Sequence, residues 1–111
     1  MEYDFKDGNG PVPAKRHVNG GGWVADSATV DVTCYIGSDA LVFGNAKVYD
    51  NAWVFDNAWV FGNAWVFGNA KVYGDAKVFD NAKVYNDAKV YGDAKVCGNT
   101  WLYKDNDWRR G

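Results

Sequence analysis

The sequence repeats every six residues over most of its length. From Val42 to Tyr91 it reads VFGNAK VYDNAW VFDNAW VFGNAW VFGNAK VYGDAK VFDNAK VYNDAK VY, with no inserted or deleted residue. Extending this frame in both directions gives fourteen unbroken hexads between Val24 and Asp107. A short fixed period is typical of solenoids, in which each repeat packs against its neighbours. The repeat therefore constrains the fold more than any single residue does.

Each position of the hexad has its own residue type. The first is Val in twelve hexads, and the fifth is Ala in eleven. Because the fifth position lies two residues before the next first position, both side chains point to one side of an extended segment. We expect that side to be the core, and the second and sixth positions, mostly aromatic residues and Lys, to point outward. The fourth position is Asn or Asp in twelve hexads, which predicts a left-handed backbone conformation there, within a two-residue corner.

Short strands joined by two-residue Gly-Asn corners are also compatible with an antiparallel meander. In a hairpin, however, the last residue of one strand lies opposite the first of the next on the same face, so every second strand would turn its Val outward. A coil that bends at each corner keeps Val and Ala inside throughout. Three strands per turn give 18 residues per coil, with stacked strands about 4.8 Å apart. We therefore predict an all-β chain of parallel strands with just under five turns.

This pattern resembles the hexapeptide-repeat superfamily of left-handed parallel β-helices. The resemblance rests on the aliphatic first position and the small fifth position, and it covers residues 24 to 107. It implies a triangular prism with a left-handed coil. The spacing itself does not determine the hand, since general crossover rules favour the right hand. The segment GGGWVAD at residues 20–26 also resembles the start of such repeats in proteins of bacteria and their phages.

Two short segments flank the repeat within a single domain. We predict an extended N-terminal arm over residues 1–22, a β-helix over residues 23–107 and a C-terminal cap or tail over residues 108–111. Prolines and glycines disfavour a helix in the arm. The arm is either disordered or loosely docked, or it lies on the first coil, where it would cover unpaired strand edges, or it reaches a neighbouring subunit. Trp108 falls on the Val phase of the next hexad, so it either covers the last coil or belongs to a frayed tail.

Charge and hydropathy limit the partners and the location. The net charge is −2, and Lys is spread along the repeat with no basic cluster other than Arg109 and Arg110, so we expect no nucleic-acid partner. No apolar run is long enough to span a membrane, so we expect no membrane partner. The first ten residues, MEYDFKDGNG, lack the features of a secretion signal. We expect a location in the cytoplasm or in a virion.

Residues 18 apart stack on each other, so the outward positions form columns on three faces. The first face carries Trp23, Leu41, Trp59, Lys77 and Lys95 beside Ala25, Phe43, Phe61, Phe79 and Cys97. The second carries Thr29, Lys47, Trp65, Lys83 and Trp101 beside Asp31, Tyr49, Phe67, Tyr85 and Tyr103. The third carries Tyr35, Trp53, Lys71, Lys89 and Asp107 beside Gly37, Phe55, Tyr73 and Tyr91. Where Trp and Lys are neighbours in a column, the ammonium group can lie on the indole ring.

These aromatic columns either stabilise the coil by stacking alone or also contact other molecules. The first face is almost wholly apolar through its first three coils, as interfaces commonly are, and proteins of the superfamily that the chain resembles are commonly trimers. We therefore hypothesise a homotrimer. Its predicted interface residues are Trp23, Leu41, Phe43, Trp59, Phe61 and Phe79. The candidate surface for a carbohydrate or another partner consists of Trp53, Trp65, Tyr49 and Phe67.

The sequence contains little that predicts catalysis. Many enzymes of the superfamily it resembles are acyltransferases that use acyl-CoA and a histidine base, but the single histidine, His17, lies in the arm. The repeat has no loop insertion and no basic pocket for CoA phosphates. Stacked Asp75 and Asp93 are more simply explained as solvated carboxylates than as calcium ligands. Cys34 faces the core and Cys97 faces outward, too many coils apart for a disulfide. We expect neither a cofactor nor a metal.

These observations favour a non-catalytic structural or interaction protein. It would be a rigid, self-associating β-helix, for example a decoration or fibre component of a phage, with residues 1–22 as the tether to a larger assembly. One alternative is a minimal or degenerate acyltransferase that uses acyl-CoA. Another is a carbohydrate-binding surface formed by the outward aromatic columns.

Overall fold

The computed structural model describes residues 1–103, which form an all-β structure. The strands are β1 (Glu2–Asp4), β2 (Pro11–Arg16), β3 (Trp23–Ala25), β4 (Thr29–Val30), β5 (Tyr35–Ile36), β6 (Leu41–Val42), β7 (Lys47–Val48), β8 (Trp53–Val54), β9 (Trp59–Val60), β10 (Trp65–Val66), β11 (Lys71–Val72), β12 (Lys77–Val78), β13 (Lys83–Val84), β14 (Lys89–Val90), β15 (Lys95–Val96) and β16 (Trp101–Leu102). In this part of the chain no helix is long and apolar enough to cross a membrane. Trp108 lies outside the described residues.

The strands of the repeat stack in three parallel sheets, one for each predicted face. The first face is formed by β3, β6, β9, β12 and β15, the second by β4, β7, β10, β13 and β16, and the third by β5, β8, β11 and β14. Each strand pairs with the strand 18 residues away, as Trp23 does with Leu41. The predicted all-β solenoid with parallel strands is therefore confirmed, with about 4 turns in the described part of the chain.

The core contains the residues that the hexad assigns to it. Every first-position and fifth-position side chain from Ile36 to Val90 is fully buried, with Val and Ala stacked on themselves from coil to coil. Burying one Val side chain contributes about 1.5–3 kcal/mol before the entropy of ordering the chain is counted. The core is exposed only at its ends, where Ala28 and Val30 in the first coil and Ala94 and Leu102 in the last are partly buried.

The corners differ from the prediction in one respect. The left-handed backbone lies at the third position of the hexad and not at the fourth, in every hexad from Gly44 to Gly98. The non-glycine residues at this position have φ near +60°, as in Asp50 with φ 64° and Asp56 with φ 59°. The backbone N–H groups of the fourth-position residues instead donate to backbone carbonyls of third-position residues in the next coil, as Asn45 N does to Gly62 O at 2.9 Å. The third position therefore makes the bend, and the fourth joins successive coils.

The N-terminal arm forms a hairpin on the first coil of the same chain. Strands β1 and β2 are antiparallel, and β2 pairs antiparallel with β3, with Ala14 opposite Ala25. The following segment crosses the edge of β5, where Gly22 N donates to Ile36 O and Ile36 N donates to Asn19 O. Gly20 has φ +109°, and a Cβ there would lie against the Ile36 carbonyl oxygen. The arm thereby covers the first-coil edges of the first and third faces, while β4 remains the edge strand of the second.

Candidate functional site

The second-position side chains form a stack of aromatic rings on each face. The ring-centroid distances are 4.8 and 5.0 Å for Phe43, Phe61 and Phe79, 4.8 and 5.1 Å for Tyr49, Phe67 and Tyr85, and 4.9 and 5.5 Å for Phe55, Tyr73 and Tyr91. The rings of Phe43 and Phe61 deviate from parallel by 2°. The parallel strands, about 4.8 Å apart, impose this spacing. The predicted aromatic columns are therefore present.

The sixth-position columns pair lysines with indole rings. The ammonium group of Lys71 lies 5.0 Å from the Trp53 ring, and those of Lys77 and Lys83 lie 4.7 Å from the rings of Trp59 and Trp65. Such contacts contribute about 0.5–1 kcal/mol each at exposed sites. Each tryptophan also contacts the ring stack edge-on, as Trp65 does with Phe67 at 6.4 Å. The three predicted surface residues Tyr49, Trp65 and Phe67 thus lie together on the second face, and Trp53 lies on the third.

On the first face the arm completes the ring stack. Ala25 stands where a ring would stack on Phe43, and the Phe5 ring takes that place, 4.8 Å from Phe43 and tilted by 19°. Tyr3 stacks on Trp23 at 4.7 Å. Phe5 and Phe43 are 1% and 3% exposed. Ala25 at the start of a column that continues with Phe43, Phe61 and Phe79 was the sequence signal that a ring from elsewhere occupies this position.

The predicted interface residues fall into two groups. Trp23, Leu41 and Phe43 pack against the arm of the same chain, and Leu41 is buried. Trp59 and Phe61 are partly buried at the lower border of this cluster. Phe79 continues the column below them, stacked on Phe61. The surface that remains for another subunit on this face therefore begins at Trp59.

On the third face, a cavity at the first coil lies beside a cluster of three rings, two of which line it. Tyr35 lies 5.9 Å from Trp53 and 6.5 Å from Phe55, and Trp53 lies 6.1 Å from Phe55. Trp53 and Tyr35 are 45% and 37% exposed. The cavity has a volume of about 200 Å³, and its lining residues are Tyr35, Gly37, Ser38, Asp39, Phe55 and Asp56.

A larger cavity of about 390 Å³ lies at the N-terminal end of the core, where Lys15 and His17 border Val24, Ala28 and Val30. The His17 Nε2 atom lies 2.9 Å from the carbonyl oxygen of Cys34. A carbonyl only accepts, so Nε2 carries the proton and donates. His17 is buried and holds the end of the arm against the first coil.

The two cysteines are free and differ in environment, with Cys34 buried and Cys97 partly exposed. Burial, and secondarily the Asp31 carboxylate, raise the pKa of the Cys34 thiol to about 11. A thiol of this kind is a poor nucleophile at neutral pH because it stays protonated.

The described residues present a column of aromatic rings on each of the three faces. Residues 1–103 contain no group of three or more His, Cys, Asp or Glu side chains that could hold a metal ion. The features with binding potential are the first-face column below the arm and the ring-lined cavity of the third face. Comparison of the sequence and the structure with known proteins gives no match to a family model, to a curated protein or to a solved structure.

Proposed function

We propose that this chain is a non-catalytic structural protein of the hexapeptide-repeat type, with a left-handed coil of triangular section, that self-associates as a homotrimer through its first face. The observation that carries the proposal is the apolar column that continues beyond the arm. Trp59, Phe61 and Phe79 remain partly exposed below the buried rings of Phe5 and Phe43. Aromatic side chains at the centre of a patch are the residues that most often supply binding energy.

The residues at the two ends of this apolar column are consistent with subunits that associate side by side. Towards the C-terminal end of the face, the neighbouring column continues with Lys77 and Lys95, and charged residues are typical of an interface rim. At the other end, the arm joins the same surface through Val12 and Tyr3, which are partly buried in the cluster of Phe5. A threefold arrangement would place three copies of this surface around one axis. The arm would lie beside that axis, where residues 1–22 could also tether the trimer to a larger assembly in a virion or in the cytoplasm.

A matched pair of substitutions tests the proposal. Phe61 on the first face and Phe67 on the second each have an aromatic ring stacked on both sides. We expect the native protein to be a trimer at micromolar concentration, Phe61→Glu to be a monomer, and Phe67→Glu to remain a trimer, since only the first charge would be buried between subunits. Native mass spectrometry and sedimentation measure this, with circular dichroism as the control for folding. A monomeric native protein, or equal dissociation in both variants, would reject the first-face trimer.

A second candidate function is carbohydrate binding by the exposed rings of the third face. The specific observation in its favour is that the exposed Tyr35 borders a cavity with polar groups and contacts the exposed ring of Trp53 beside it. Binding sites for small molecules commonly combine aromatic walls with a few polar groups that fix the orientation of the ligand. This candidate is independent of self-association, because it involves a different face.

A further inference from the structure

We propose that the first coil of the third face is a binding site for the pyranose ring of a neutral or amino sugar, with the Phe55 ring as its platform. The proposal rests on the carbohydrate-binding candidate and names its site. It does not depend on the trimer.

The site lies where one ring is missing from a stack. Phe55, Tyr73 and Tyr91 stack in one column, and the residue above Phe55 in that column is Gly37. The equivalent step on the first face is Ala25, and there the Phe5 ring lies 4.8 Å from Phe43. On the third face a cavity of about 200 Å³ occupies this step. The first face thus shows a flat ring in the position that corresponds to this cavity.

The walls of the site are held in place before any ligand binds. The lower side of the Phe55 ring stacks on Tyr73 at 4.9 Å, with an angle of 4° between the rings. The Tyr35 ring stands edge-on to Phe55, and the partly exposed Trp53 contacts both. Because these rings hold each other, little side-chain entropy would be lost on binding.

The third first-coil corner lacks a hydroxyl donor at the hexad position where the other two first-coil corners have one. At the first corner Ser27 Oγ donates to Gly44 O at 2.5 Å, and at the second Thr33 Oγ1 donates to Asp50 O at 2.6 Å. The corresponding residue at the third corner is Asp39, and the corresponding carbonyl is that of Asp56. An ionised carboxylate cannot donate. Within residues 1–103, no hydrogen bond reaches this carbonyl.

This chemistry selects the ligand class. The Asp39 carboxylate and the Asp56 carbonyl are acceptors beside an aromatic face, so the ligand needs donors at the edge of a flat, apolar surface. A pyranose has C–H groups on its face and hydroxyl groups at its edge. An ammonium group in place of a hydroxyl would also be favoured by the carboxylates, whereas a uronic acid would be repelled. A phenyl ring would fill the cavity above the Phe55 ring but would leave both acceptors without a donor. This difference favours a sugar over an aromatic side chain as the ligand.

The test uses three defined probes and the full chain. Cellotetraose, a glucosamine tetramer and tetragalacturonate are titrated by calorimetry, with saturation-transfer NMR to show which ring protons contact the protein. We expect binding of the neutral probe, the amino probe or both, and no binding of the acidic probe. Tight binding of tetragalacturonate alone would overturn the proposal.

A substitution that gives the third corner a hydroxyl donor identifies the site. Asp39→Ser introduces the hydroxyl that Ser27 has at the first corner, so it should close onto the Asp56 carbonyl without loss of folding. We expect it to weaken binding about tenfold, the effect of losing a charge-assisted hydrogen bond. Asp93→Ser changes the same column three coils lower and should bind like the native protein. Trp53→Ala should weaken binding as well. Trp65→Ala tests the alternative carbohydrate surface on the second face, and loss of binding in this variant alone would overturn the site proposed here.

The possible outcomes distinguish rejection of this site from rejection of the carbohydrate-binding candidate. Binding that survives Asp39→Ser and Trp53→Ala but is lost in Trp65→Ala would leave carbohydrate binding standing and overturn this site. Absence of binding to all three probes by the folded native protein would reject both the site and the carbohydrate-binding candidate. Loss of binding in Asp39→Ser with retention in Asp93→Ser would support the proposal.

Discussion

At the corners of the coil, the residue that makes the bend also contacts the coil below. Asp50, Asp56 and Asp80 adopt left-handed conformations, and their Oδ2 atoms accept hydrogen bonds from the glycine amides 18 residues later, at 3.1–3.2 Å. The sequence alone placed the left-handed residue one position too late. Asp and Asn occur at both corner positions, but Gly occurs at the third position of six hexads and at the fourth of none, and this was the sequence signal for the bend. The direction of each carboxylate, by contrast, depends on the stacked coils.

The third and fourth positions of one corner should respond differently to alanine. Asp80→Ala places a Cβ-bearing residue without a polar side chain at φ 63° and removes the acceptor for Gly98 N. We expect it to lower the free energy of unfolding by about 1–2 kcal/mol. Asn81→Ala, at the adjacent exposed position, should change it by less than about 0.5 kcal/mol. Urea denaturation measures both, and a larger effect at Asn81 would restore the assignment made from the sequence.

The buried thiol of Cys34 should make stability depend on alkaline pH. Its pKa rises from 9.0 to about 11 on folding, so between these values the unfolded chain loses the proton first and the folded state is disfavoured. The stability from this group is complete below pH 9 and declines towards pH 11. Cys34→Ala, which installs the residue found in most hexads, should reduce the decline by about 1.4 kcal/mol per pH unit. Denaturation curves at several pH values measure it, and Cys97→Ala, as the control, should leave the decline unchanged.

Among the elements, the hairpin of β1 and β2 shows how a segment outside the repeat becomes part of it. It adds two antiparallel strands to the first sheet and supplies the ring that the repeat lacks at Ala25. The sequence favoured an extended arm and left its placement open. Which of the three first-coil edges the arm covers depends on the turn at residues 17–22 and on the gap above Phe43, and both exist only in the folded chain.

A double substitution tests whether a ring at position 25 in β3 can replace the Phe5 ring of the arm. Phe5→Ala removes a fully buried ring and should cost about 3–5 kcal/mol of unfolding free energy. Ala25→Phe alone should also destabilise, because its ring competes with Phe5 for one space. In the double variant the strand supplies the ring, so we expect it to be more stable than the sum of the single effects by at least about 1 kcal/mol. Additive effects in thermal and urea denaturation would show that the two side chains do not share the step.

For the whole molecule, each coil contacts only the coils above and below it. The paired strands are 18 residues apart throughout the repeat, so the solenoid should behave as a linear array of nearly equal units. Its length is then adjustable in whole coils, while a shift by one residue would turn every inward side chain outward.

Two internal deletions test this property. Removing residues 60–77 deletes one coil and joins Trp59 to Val78, which keeps all columns in register. We expect a cooperatively unfolding β-protein with reduced stability. Removing residues 60–76 leaves one extra residue and places Lys77 on the inward phase, and we expect it to lose cooperative unfolding. Circular dichroism during thermal denaturation compares the two. Equal behaviour of both deletions would show that register does not determine the fold.

The sequence by itself determined the period, the inward residues and the columns of rings, because a strict hexad leaves one arrangement in which Val and Ala stay buried. The tertiary structure determined the features that are not part of the repeat. The arm, which has no repeat, lies where the first sheet has an unpaired edge and where Ala25 leaves room for a ring above Phe43. The cavity at Gly37 is lined by residues of two successive coils, from Tyr35 to Asp39 and from Phe55 to Asp56. Such features result from contacts between residues that are distant in sequence, and no repeating pattern encodes them.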